Sequence, residues 1–152
     1  MQHRPAAKDE RQPRRSALVM LVFEQAEVLD IAGPLDILCA AGVRDSLDRR
    51  RPLLVSERGG LVRTDPSTIA VDSEPLAAVA HLAIDTLLIP GGQGIDTALG
   101  RPALIKWIRR QAARARRVVS ICTGSFLLAE AGLLDGRCGA RAVRRDVRAP
   151  AA

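Results

Sequence analysis

Cys122, Asp30 and the pair Gly91-Gly92 are the residues of this sequence best suited to chemistry. Cys122 ends the apolar run Val118 to Ile121, and helix-like spacing begins just after it, at Gly124. A thiol at a helix N-terminus meets free backbone N–H groups and the positive end of the dipole, which favour the thiolate. The competing reading is a small residue in a tight turn. Asp30 lies between Leu29 and Ile31, shortly before Gly33-Pro34. A carboxyl held near a thiolate could carry a raised pKa and move a proton; otherwise it caps or orients the turn before a helix. Gly91 and Gly92 let backbone N–H groups approach a ligand closely. With the Thr123 N–H they could form a pocket for an oxyanion or carboxylate. Gly91, Gly92, Thr123 and Gly124 are therefore the ligand-binding candidates, and Cys122, Asp30 and Thr123 the catalytic ones.

Histidine limits this chemistry. A Cys–His hydrolase needs an imidazole beside the thiol. Thr123 follows Cys122, His3 lies near the start, and His81 precedes a strand at its wrong end. Thiol proteolysis is disfavoured. Cys39, Cys122 and Cys138 form no paired spacing, so neither a disulfide framework nor a metal site is expected, and no cofactor is implied.

The elements that must position these residues read as alternating strands and helices. The continuously apolar run at 16–23 suits a parallel strand buried on both faces, and 84–89 and 118–121 read as further buried strands. Gly33-Pro34 reads as a helix start, with Leu35, Leu38 and Cys39 inward and Gly42 as the stop. Residues 51–60 read as a strand and turn, and short strands flank Asp65-Pro66. Pro102 opens an amphipathic helix with the stripe Leu104, Trp107, Ile108, Ala112 and Ala115. Its basic residues lie largely off that stripe. A last helix runs from about Gly124 to Ala131, stopped by Gly132. The pattern predicts an α/β fold with a parallel sheet. Ligand sites of such sheets lie beyond the carboxyl ends of strands, where Asp30, Gly91-Gly92 and Cys122 all fall.

The 152 residues suffice for one domain with a real core. The net charge of +6 belongs to the ends. Residues 1–16 hold five basic and two acidic side chains, residues 137–152 five and one, and the body 13 and 14. With Phe23, Phe126 and Trp107 as the whole aromatic complement, a base-stacking platform is excluded. Residues 1–15 read as a disordered basic leader without the apolar core of a signal peptide. No run reaches membrane-spanning length. A reducing cytoplasm is the expected compartment, with no membrane partner.

Three segments together, "LDIAGPLDIL" (29–38), "DTLLIPGG" (85–92) and "VVSICTGSFLLAEAGLLDGR" (118–137), resemble the ThiJ/PfpI family of the class I glutamine amidotransferase-like superfamily. The resemblance covers residues 16–137. It implies a flavodoxin-like parallel sheet with helices on both faces. It is most similar to the N-terminal domain of AraC-type transcriptional regulators, which implies a sensor for a small-molecule ligand. In those proteins a C-terminal helix-turn-helix pair binds DNA, and this chain carries no such pattern. The sequence also resembles isonitrile hydratases, which hydrate an isonitrile to an N-substituted formamide; their essential Asp, Cys and Thr match Asp30, Cys122 and Thr123. Aspartate at position 30 departs from the glutamate of the deglycase and chaperone branch. After Arg137 the family pattern gives way to "CGARAVRRDVRAPAA". Residues 138–152 are therefore expected to be an atypical basic tail, frame-shifted in origin, on a domain that is C-terminally incomplete. Apolar surface left uncovered could be closed by homodimerisation.

Overall fold

The computed structural model describes residues 16–44, 52–66 and 68–137. The expected leader (1–15) and tail (138–152), with Cys138, lie outside the described residues.

Among the described residues seven strands form one sheet: β1 (Ser16–Leu21), β2 (Ala26–Glu27), β3 (Leu53–Ser56), β4 (Gly60–Asp65), β5 (Ala70–Pro75), β6 (Ala83–Ile89) and β7 (Arg117–Ser120). Their order is β2-β4-β5-β3-β1-β6-β7. All neighbours are parallel except β4 and β5, which form an antiparallel pair around Asp65-Pro66. The helices are α1 (Val28–Arg44), α2 (Ile95–Leu99), α3 (Pro102–Ala112) and α4 (Ser125–Glu130), with 3-10 turns at Leu76–Val79 and Cys122–Gly124. This is the expected α/β architecture, a mostly parallel flavodoxin-like sheet with helices. Among the described residues no helix is long and apolar enough to cross a membrane.

The core follows from the apolar runs. Val19, Met20 and Leu21 of β1 and Leu87, Leu88 and Ile89 of β6 are all but inaccessible. These strands are central, so both faces of each are covered and consecutive apolar residues are accommodated. Helix α3 closes the core with Leu104, Trp107 and Ile108, while Lys106, Arg109, Arg110 and Arg114 stay exposed. The Leu133 N–H donates to the Leu128 carbonyl and Gly132 takes φ +70°, a left-handed stop for α4.

Three expectations are corrected. Helix α1 begins at Val28 and runs through Gly42 to Arg44, with Pro34 inside it. The Gly-Pro signal is overridden by tertiary anchoring: β2 pairs with Thr64 and Asp65, so the chain enters the helix directly from a fixed strand. Of the residues expected inward, Leu35 packs on the core beside the buried Ile31, whereas Leu38 and Cys39 are exposed. Finally, β7 is not covered on both faces. It pairs only with β6 among the described residues, and Val119 is 38% exposed.

Candidate functional site

Strand neighbours bring the three sequence features together. β1, β6 and β7 are consecutive in the sheet and parallel, so the segments leaving their carboxyl ends emerge side by side. Asp30 follows β1, Gly91 and Gly92 follow β6, and Cys122 follows β7.

Cys122 sits on a sharp backbone corner. The Ile121 N–H donates to the Ile89 carbonyl (2.9 Å), carrying the sheet one residue past β7. Cys122 then takes φ +51°, a left-handed conformation uncommon for a residue with a Cβ. The chain turns into the 3-10 segment and then α4. The corner leaves Cys122 exposed while Gly124 is buried against the Ile89 and Pro90 carbonyls. The Ser125 hydroxyl donates back to the Cys122 carbonyl (3.3 Å).

Asp30 occupies the first turn of α1, not the loop before it. Its Oδ2 accepts the Gly91 N–H at 3.0 Å, across 61 positions of sequence. Pro34 stands four residues later and has no N–H to offer the Asp30 carbonyl, so the helix ladder is interrupted at the site residue itself. The Gly92 N–H donates to Thr123 Oγ1 at 3.2 Å. Gly91 lies directly against the corner: a Cβ on it would come 2.6 Å from Thr123 Oγ1 and 3.0 Å from Cys122 Cβ. Asp30, Gly91, Gly92 and Thr123 are thus joined by hydrogen bonds, with Cys122 beside Gly91. Both glycine amides are engaged within the protein.

A strap missed from the sequence holds this arrangement. Gln25, in a left-handed conformation at φ +60°, leads into β2. The Glu27 N–H donates to the Gly91 carbonyl (2.9 Å), Ala26 bridges to Gly92, and the Gly94 N–H donates to the Gln25 carbonyl (3.1 Å). The stretch "EQAE", polar but for Ala26, marks a turn between two apolar runs, but nothing in it signals a two-residue strand. His81 is exposed and precedes β6, whereas the site lies beyond its other end, about 20 Å of strand away. Among the described residues, no group of three or more His, Cys, Asp or Glu side chains converges as a metal site.

Comparison with known proteins agrees with this fold. A model described as the DJ-1/PfpI family matches residues 15–150. An HTH-type transcriptional regulator of Mycobacterium tuberculosis is 57% identical over 51 residues, 34% of this chain and 20% of the regulator. An isonitrile hydratase of Pseudomonas putida is 36% identical over 118 residues, 77% of this chain and 48% of the hydratase. The crystal structure of a ThiJ/PfpI family protein from Pseudomonas syringae superposes with a TM-score of 0.67 at 25% identity, covering 89% of this chain and 55% of that one. The chain therefore spans about half the length, or less, of these relatives.

Proposed function

This chain belongs to the DJ-1/PfpI family, and from that footing we propose that it is the ligand-sensing, amidotransferase-like domain of a cytoplasmic AraC-type transcriptional regulator. Its ligand is a small molecule held at the strand-end crevice by Gly91, Gly92, Thr123 and Gly124. Operator contact belongs to a separate helix-turn-helix domain. The observation carrying this reading is the state of the crevice amides. The Gly91 N–H is taken by the Asp30 carboxylate and the Gly92 N–H by the Thr123 hydroxyl. Oxyanion stabilisation needs donors already aimed at the developing charge; donors engaged by side chains suit a site that exchanges partners on binding. The similarity to the mycobacterial regulator supports the same reading.

A second reading is favoured by the grouping of Asp30, Cys122 and Thr123 and by the similarity to isonitrile hydratase. As a hydratase, the chain would add water across an isonitrile, R–NC + H2O giving R–NH–CHO. Cys122 would attack or polarise the isonitrile carbon, Asp30 would relay the proton, and Thr123 would position water.

Incubating the purified chain with an isonitrile and assaying for the formamide separates the two. The sensor reading expects binding without turnover. Turnover that falls about 100-fold or more in Cys122→Ala and in Asp30→Asn would sink it in favour of the hydratase.

A further inference from the structure

A cavity of about 290 Å³ lies apart from the cysteine corner. Its walls come from the segments following β1 and β3, from β4, from α2 and from the start of α3. Asp30, Cys122 and Thr123 are not among its lining residues. Its position, beyond the carboxyl ends of two adjacent parallel strands, is where open α/β sheets hold ligands. Its volume is at the lower end for small-molecule clefts, which run from about 300 Å³ upward.

The lining has two parts. Val22 and Leu104, both all but inaccessible, supply an apolar floor. Two acidic residues, Glu24 and Glu57, and two arginines, Arg58 and Arg101, also line the cavity. Arg101 Nη1 lies 3.2 Å from Glu57 Oε2, and their side chains are 49% and 34% exposed. A half-exposed pair of this kind contributes little net stability, so a ligand that offers each partner a better counterpart can open it. An anion alone would meet the two carboxylates, and a cation alone the two arginines. A small zwitterion satisfies both signs at once.

We infer that this cavity binds an apolar α-amino acid. Its carboxylate takes the Arg101 guanidinium in a forked, charge-assisted contact. Its ammonium takes the Glu57 carboxylate, and its side chain rests on Leu104 and Val22. The inference is independent of the regulatory reading. It nonetheless has a structural link to the cysteine site, because Gly94 lines the cavity and its N–H holds Gln25, the first residue of the strap that reaches Gly91.

The test is isothermal titration calorimetry of the full chain with L-leucine, with 4-methylpentanoate, which keeps only the carboxylate, and with 3-methylbutylamine, which keeps only the ammonium. L-leucine should bind saturably at one site, and each singly charged analogue about tenfold or more weakly. That ratio is about 1.4 kcal/mol. Arg101→Ala and Glu57→Gln should each weaken L-leucine by a similar factor. Thr97→Phe, which adds bulk to the cavity wall without changing charge, should abolish binding. Glu57→Gln is nearly isosteric, so it keeps the test valid if Arg101→Ala fails to fold. Absence of saturable L-leucine binding, equal affinity of an analogue, or unchanged binding in Glu57→Gln or Thr97→Phe overturns the inference.

Discussion

Gly92 works through the side chain it lacks. At φ +135° it occupies backbone space that side chains rarely enter, and a Cβ there would press on Gln25, Ala26 and Glu27. Gly92→Ala should therefore lose about 1–3 kcal/mol in urea denaturation. It should also displace the amide held by Thr123, weakening any crevice ligand. Gln111 presents the opposite case. Its side chain is fully buried on α3, and neither amide atom has a hydrogen-bond partner among the described residues. An unpaired buried polar group costs about 1–3 kcal/mol. Gln111→Met, of similar shape, should accordingly raise the urea midpoint by part of that amount.

At the scale of elements, the β6–β7 pair is clipped at its start. Arg116 donates to the Asp85 carboxylate, and its N–H donates to the Ile84 carbonyl. The Arg116 guanidinium holds the Asp85 carboxyl below its ordinary value of 3.8, against an opposing push from partial burial. A depressed folded pKa means that the unfolded chain takes up the proton first as pH falls. The associated stability is present above about pH 4 and is lost as pH drops through the folded pKa. Asp85→Asn should flatten this part of the acid limb in thermal melts between about pH 5 and 2.5. The change at neutral pH should be small, because the Arg116 side chain is 59% exposed and solvent screens the pair. Helix α1 marks the limit of local reading. Gly33-Pro34 looks like a start, yet contacts distant in sequence place the start at Val28, and no local pattern records them.

Across the whole molecule, the gathering of Asp30, Gly91-Gly92 and Cys122 was legible because each follows an apolar run. Runs of that kind become neighbouring parallel strands. The antiparallel β4–β5 pair and the Gln25–Glu27 strap were not legible in the same way. Their pairing depends on turn conformation and on partners remote in the chain. The edge position of β7 among the described residues was hidden for a related reason: apolar composition does not distinguish a central strand from a flanking one. The exterior keeps Leu29 at 73% and Ile37 at 69% exposure on α1. Exposed apolar groups on one element favour self-association. Sedimentation velocity should show a concentration-dependent dimer that Ile37→Lys shifts toward monomer, with thermal stability changed by no more than about 0.5 kcal/mol.

The left-handed backbone at Cys122 sets stability against chemistry. That conformation costs an ordinary residue about 1–2 kcal/mol and costs glycine almost nothing. Glycine at this corner would relieve the backbone and remove the thiol in the same step. The one side chain in the crevice able to act as a sulfur nucleophile is thus carried on backbone that a side chain makes more costly, so stability and thiol chemistry pull in opposite directions at a single residue.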